Sequence, residues 1–350
     1  MELNEIRKNI PPVNMKAREV AKRRWNDIAH PLHSLGKLED YVVWLAGITG
    51  EVFVEKPKKA LVVMCADNGV VAEGVTQTGQ EVTAIMAENL LREKATAAIL
   101  CDEAGAHIFP WDIGMAVDTK VPRWKVGYGT KNMAKEQAMT RDEALESIEI
   151  GIELARELKQ TGYGLIAAGE MGIGNTTSSS AVASVLLGKS PGEVTGRGAG
   201  LTEEALVHKI EVIEQAIEMH RPVKEDAIDV LSKVGGFDLG GMTGLFLGGA
   251  IYQVPVVIDG FISAVSALLA SVIAPECKAY MTSSHMSKEP GTAMVLKALG
   301  MEPALQCDMC LGEGTGAVCL FPLIDLAISV YRRMGTFEEN RIEPYRELSK

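Results

Sequence analysis

Residues 163–177 read YGLIAAGEMGIGNTT. The first six form a short, nearly continuous apolar run, the signature of a strand buried on both faces. The run passes directly into GEMGIGNTT and then into an apolar helical stretch, 178–187. Gly172 and Gly174 let the backbone come close to a ligand, and the helix that follows offers free N–H groups and the positive end of its dipole. Asn175, Thr176 and Thr177 can cap that helix or give hydroxyls to a phosphate. The segment is not a Walker A loop, because no Lys follows the second glycine, and its glycine spacing is not the dinucleotide fingerprint. Read alone, a helix cap and an anion site describe it equally well. Glu170 would repel phosphate unless it serves something else.

Working outward, 60–66 (ALVVMCA), 107–112 (HIFPWD) and 254–258 (VPVVI) are further strand candidates. Helical patterns occupy 15–29, 37–46, 80–95, 141–159, 202–220, 224–233, the segment after Gly260 to about 272, 289–299 and 320–334. Residues 189–200 read as a Gly/Pro/Ser loop. The most apolar region, 242–274, is broken by Gln253, Pro255 and Asp259, so it reads as buried helix, strand and helix rather than a membrane span. Alternating strands and helices predict an α/β fold, a parallel sheet flanked by helices and Rossmann-like. Thirty-five glycines against seven Phe and seven Tyr suit its tight turns and close helix-on-sheet packing. Four strand ends carry a carboxylate close to a glycine: Asp67, Asp112, Glu170 and Asp259. In such sheets ligands bind beyond the strand C-termini.

The formal net charge is -11, which argues against non-specific binding of nucleic acid or anionic lipid. An acidic chain that binds an anion must gather cations locally, which singles out Arg197 and Lys209. Six scattered cysteines suit a reducing cytosol, and the opening residues lack the pattern of a signal peptide, so a cytoplasmic protein is expected. Cys307 and Cys310 have no second pair to complete a metal site and read as ordinary buried thiols. Neither a metal nor a cofactor is expected.

Two more segments carry chemistry. In 311–317, LGEGTGA, Glu313 stands between glycines that offer it to a ligand, as a general base requires; by spacing alone a solvated turn acid is the better description. In 283–291, SSHMSKEPG, no nucleophile elbow surrounds Ser284 or Ser287, so a polar substrate-binding loop fits better than a hydrolase.

Together, ADNGVVAEGV (66–75), AMT (138–140), GEMGIGNTT (169–177), GRGAGL (196–201), VVIDGFIS (256–263), SSHMSKEPG (283–291) and LGEGTGA (311–317) span nearly the whole chain. In that order they resemble the nicotinate-nucleotide–dimethylbenzimidazole phosphoribosyltransferase family. The resemblance implies a homodimer, with a large α/β domain over 51–319 and a smaller helical domain from the chain ends, 1–50 and 320–350. It implies nicotinate mononucleotide and a benzimidazole-type base as substrates, Glu313 as catalytic base and Glu170 as a second carboxylate near the reacting base. Gly172, Gly174, Asn175, Thr176, Lys209, Ser287 and Asp259 would surround the phosphoribosyl group. The chain departs from the family pattern at 30–36 (HPLHSLG), Thr292, Cys310 and Asp238. A sugar-phosphate isomerase explains the phosphate turn but not two glycine-flanked glutamates. A non-catalytic nucleotide sensor is the other alternative.

Overall fold

A computed structural model describes residues 3–198 and 200–346. Ala199 of the GRGAGL segment and the last four residues of the C-terminal segment lie outside them.

Five parallel strands make one sheet: β1 (Lys58–Ala66), β2 (Ala106–Gly114), β3 (Tyr163–Met171), β4 (Val256–Ile258) and β5 (Met281–Ser283), in the order β2-β1-β3-β4-β5. The alternation of side chains along a strand divides the core. Ala60, Val62, Met64, Ile166, Ala168, Val256 and Ile258 face one apolar cluster. Leu61, Val63, Cys65, Leu165, Ala167 and Val257 face the other. Both faces are therefore covered, which is why the central strands β1 and β3 read as nearly unbroken apolar runs.

On the first face lie Arg141–Gln160, Asn175–Leu187, Phe237–Ile251 and Phe261–Ile273. Thr140 and Glu143 form a reciprocal capping box that starts Arg141–Gln160. That helix meets Phe237–Ile251 almost backbone to backbone: a Cβ on Gly244 would lie 1.9 Å from the Ile148 carbonyl oxygen. On the second face lie Lys37–Thr49, Thr96–Glu103 and Thr315–Arg333. The last is the only helix among the described residues long and apolar enough to cross a membrane, but Leu320, Phe321, Ile324 and Ile328 bury it in the core. Trp25, near the N-terminus, packs on Tyr331 with ring centroids 5.0 Å apart.

The region 242–274 folds as helix, strand and helix, as its interruptions predict. Three departures have local causes. β5, Met281-Thr282-Ser283, has only one apolar residue, so no apolar run marks it. Thr315–Arg333 begins five residues before the predicted 320, because the glycines of LGEGTGA hide its first turn. The predicted loop 189–200 contains a one-turn helix, Pro191–Val194, set by a Ser190–Glu193 capping box.

Candidate active site

In this strand order the chain leaves β1 toward β2 and then returns past β1 to β3. Sheets of this kind bind ligands in the crevice at that reversal. A cavity of about 350 Å³ opens beyond the strand ends, lined by residues that follow β1, β3, β4 and β5. Every residue singled out from the sequence for the site lines it: Glu170, Gly172, Gly174, Asn175, Thr176, Lys209, Asp259, Ser287 and Glu313.

Gly174 has φ +91° and begins the helix Asn175–Leu187, so the free N–H groups of its first turn lie at the cavity. Lys209 reaches in from the helix Glu203–His220 and is 1% exposed. Its Nζ donates to Thr176 Oγ1 at 2.8 Å. Burial lowers its pKa to about 8, and Glu289 opposes that fall. Arg197 lines the cavity as well, with its guanidinium turned to the Leu201 carbonyl and to Glu203.

Glu313 sits in an unusual turn. Gly312, Glu313 and Gly314 have φ of +90°, +58° and +81°, three successive left-handed residues. A non-glycine residue held there costs roughly 1–3 kcal/mol, which the surroundings must offset. Here the surroundings are the β3 backbone, since a Cβ on Gly169 would lie 2.7 Å from the Glu313 carbonyl oxygen. The Glu313 side chain is 5% exposed and accepts the Ala97 N–H at 3.4 Å, at the start of Thr96–Glu103. Burial raises its pKa; the Ala97 N–H opposes, and Asp259 adds to the rise. The solvated acid suggested by spacing is thus corrected: a helix from far along the chain covers this turn.

Glu170 closes the opposite side of the same turn. A Cβ on Gly312 would lie 2.5 Å from its Oε1. It accepts from the Asn175 side-chain amide and the Glu313 backbone N–H. Burial pushes its pKa to about 8, with Asp238 as the next cause and the Asn175 hydrogen bond opposing. Raised in this way, the acid is neutral more of the time than a free glutamate is, and a neutral carboxyl does not repel phosphate.

Asp259 accepts the Ala317 N–H at 3.0 Å and so holds the start of Thr315–Arg333 beside Glu313. Burial raises its pKa, and His285, with Nδ1 3.9 Å away, opposes. The other two strand-end carboxylates do not line the cavity. Asp112 is paired with Lys125 at 3.0 Å, and Asp67 accepts the Ala116 N–H at 2.7 Å.

Sequence reasoning missed Met86; His285, Met171 and Leu311 also line the cavity, from within the segments 283–291, 169–177 and 311–317. Met86 carries no local signal, because it lies on the helix Glu81–Leu91 and only the packing of that helix brings it to the strand ends. Cys307 and Cys310 are exposed rather than buried, a second correction. Their segment runs along the cavity rim, where the Lys288 N–H bonds the Met309 carbonyl at 3.2 Å. Among the described residues no group of three or more His, Cys, Asp or Glu converges as metal ligands would.

The chain matches a family model described as Phosphoribosyltransferase over residues 10–342. It is similar to the nicotinate-nucleotide--dimethylbenzimidazole phosphoribosyltransferases of Ruminiclostridium cellulolyticum (47% identity, over 99% of this chain and 100% of that one) and Clostridium acetobutylicum (48%, with the same coverage). It also superposes on the crystal structure of CobT from Thermus thermophilus with a TM-score of 0.89, at 37% identity, covering 94% of this chain and 99% of that one.

Proposed function

Because the chain belongs to the phosphoribosyltransferase family, we propose that it moves the 5-phosphoribosyl group of nicotinate mononucleotide to 5,6-dimethylbenzimidazole or a similar base. The products are α-ribazole 5'-phosphate and nicotinate. One observation carries this reading: a buried carboxylate, Glu313, shares a cavity with a helix N-terminus and a buried lysine.

The nicotinate ring of the donor is cationic. When its bond to the anomeric carbon breaks, the ring nitrogen takes the electron pair and becomes neutral, so no general acid is needed. One acceptor nitrogen attacks that carbon, and the proton on the other ring nitrogen must leave. Glu313 takes that proton. Its dry surroundings make it a stronger base than a solvated glutamate. Met86, Met171 and Leu311 give a flat ring apolar surface. The Gly172–Thr176 turn, Lys209 and Ser287 hold the phosphoribosyl group, and Glu170 and Asp259 keep the Glu313 turn in place from either side.

Turnover is tested by incubating the protein with nicotinate mononucleotide, with and without dimethylbenzimidazole. Acceptor-dependent release of nicotinate is expected; tight nucleotide binding without release supports a sensor instead. Lys209→Met should raise KM for the nucleotide roughly tenfold to a hundredfold with a smaller change in kcat, the loss of one charge-assisted hydrogen bond. An unchanged KM would remove Lys209 from the phosphate site.

The same reading includes a homodimer. Ile85, Ile99 and Leu311 are exposed apolar side chains on two helices and a loop around the cavity. Light scattering should return about twice the 37.6 kDa of one chain; a monomer at micromolar concentration contradicts it.

A further inference from the structure

We propose that Asp238 is a positioning residue for this site: through the side-chain amide of Asn175 it holds Glu170 as an un-ionised acid and keeps the negative charge behind the Gly172–Thr176 turn. The inference rests on the reaction assigned above, and it concerns how one acid in the cavity is kept neutral.

Asp238 lies in the first turn of Phe237–Ile251 and is 0% exposed. Its Oδ1 accepts the Leu239 N–H at 3.0 Å, and its Oδ2 accepts Asn175 Nδ2 at 3.0 Å. The same Nδ2 donates to Glu170 Oε2. One amide group, on the residue that opens the helix after β3, therefore bridges two buried acids. The Asp238 carboxylate is also caged by glycine. A Cβ on Gly236 would lie 2.5 Å from Oδ1, and one on Gly172 would lie 2.8 Å from Oδ2. The backbone at both glycines lies close against the carboxylate, which is sealed from solvent.

The leading influences on both acids are burial, hydrogen bonds and neighbouring carboxylates, with no lysine or arginine among them. Two buried acids sharing one donor and lacking a cation do not both ionise near neutral pH. The facing groups decide which keeps the proton. Asp238 has the Leu239 N–H and the positive end of its own helix, while Asp67 opposes from the end of β1. Asp67 is itself faced by Asp112 and Lys125. Glu170 has the Glu313 N–H, but it faces Asp238 on one side and Asp259 on the other. The charge therefore settles on Asp238, whose pKa burial raises to about 6, and the proton on Glu170, at about 8. The cavity then presents a neutral carboxyl, and the phosphate meets no anion on the turn that binds it.

The test is an infrared titration of the free protein. The protonated-carboxyl band that disappears in Glu170→Gln belongs to Glu170. In the wild type it should be present at pH 7 and bleach with a midpoint near 8. In Asp238→Asn, which removes the charge and replaces one of its two accepting oxygens by a donor, so that the contacts to Leu239 and Asn175 cannot both be kept, the midpoint should fall by about one unit or more. KM for nicotinate mononucleotide should rise with pH through the same midpoint, and that rise should begin at lower pH in Asp238→Asn. Lys209 loses its charge near pH 8 as well, so every variant keeps some alkaline loss. Glu170→Gln isolates that part, and in its background Asp238→Asn should not move the profile. An unmoved midpoint, or an equal move of the KM profile in the Glu170→Gln background, overturns the proposal. If Asp238→Asn does not fold, an ionised Glu170 in the wild type at pH 7 overturns it equally. The infrared result does not depend on turnover. A protein that passes it and transfers nothing therefore refutes the assigned reaction and not the role of Asp238.

Discussion

Glu313→Gln lowers kcat for transfer to dimethylbenzimidazole by roughly two to four orders of magnitude, the span of a lost general base. The fold survives, because the glutamine carbonyl can still accept the Ala97 N–H that the carboxylate accepts now. KM for the nucleotide should change little, since the proposed role of Glu313 is at the acceptor and not at the phosphate. An acceptor methylated on one ring nitrogen has no proton to lose, so with it the two proteins should differ by less than about tenfold. The pH profile follows from the same burial. A base works only when ionised, and burial raises the Glu313 pKa. The wild-type rate should therefore rise with pH through a midpoint above the usual glutamate range, and this acid limb should vanish from the residual rate of Glu313→Gln. A variant with near-normal rates would remove Glu313 from the mechanism.

Gly169→Ala costs roughly 1–3 kcal/mol of stability and at least about a hundredfold in kcat. The added methyl would lie 2.7 Å from the Glu313 carbonyl oxygen and 2.8 Å from the Gly314 nitrogen, both backbone atoms that no rotamer change can clear. The turn of three left-handed residues must then back away from β3, and it carries the Glu313 carboxylate with it. A displacement of about 1 Å at a reacting group is enough for such a loss of rate. Urea unfolding gives the first number and nicotinate release the second. As a control, Gly192→Ala places its methyl in open space and should change neither. If Gly169→Ala keeps full activity, the close contact between β3 and the 311–317 turn does not position the base.

The sheet could be read from the chain because its strands are buried on both faces. Residues 60–66 and 163–168 are apolar throughout, and the first is followed by Asp67-Asn68-Gly69 and the second by Gly169. β5 was invisible because Met281-Thr282-Ser283 carries no apolar run, whereas the equally short β4 lies in VPVVI. The residues of the site were visible as glycine-flanked polar segments, but their electrical state was not. Glu313 is made dry by Ala97, 216 positions away in the chain, and Glu170 is held neutral by Asp238 through Asn175. Glutamate between glycines looks the same in sequence whether a helix covers it or water does. The exposed thiols of Cys307 and Cys310 illustrate the converse: nothing local tells a rim from a core.

All of this depends on one buried carboxylate meeting the acceptor ring. A crystal structure of the protein with dimethylbenzimidazole and the nucleotide measures that contact. The account predicts a Glu313 carboxylate oxygen within about 3.2 Å of the ring nitrogen that carries the proton, with the phosphate on the Gly172–Thr176 turn and Lys209. An acceptor whose N–H points to Glu170 or to water, with Glu313 still bound only to Ala97, contradicts it.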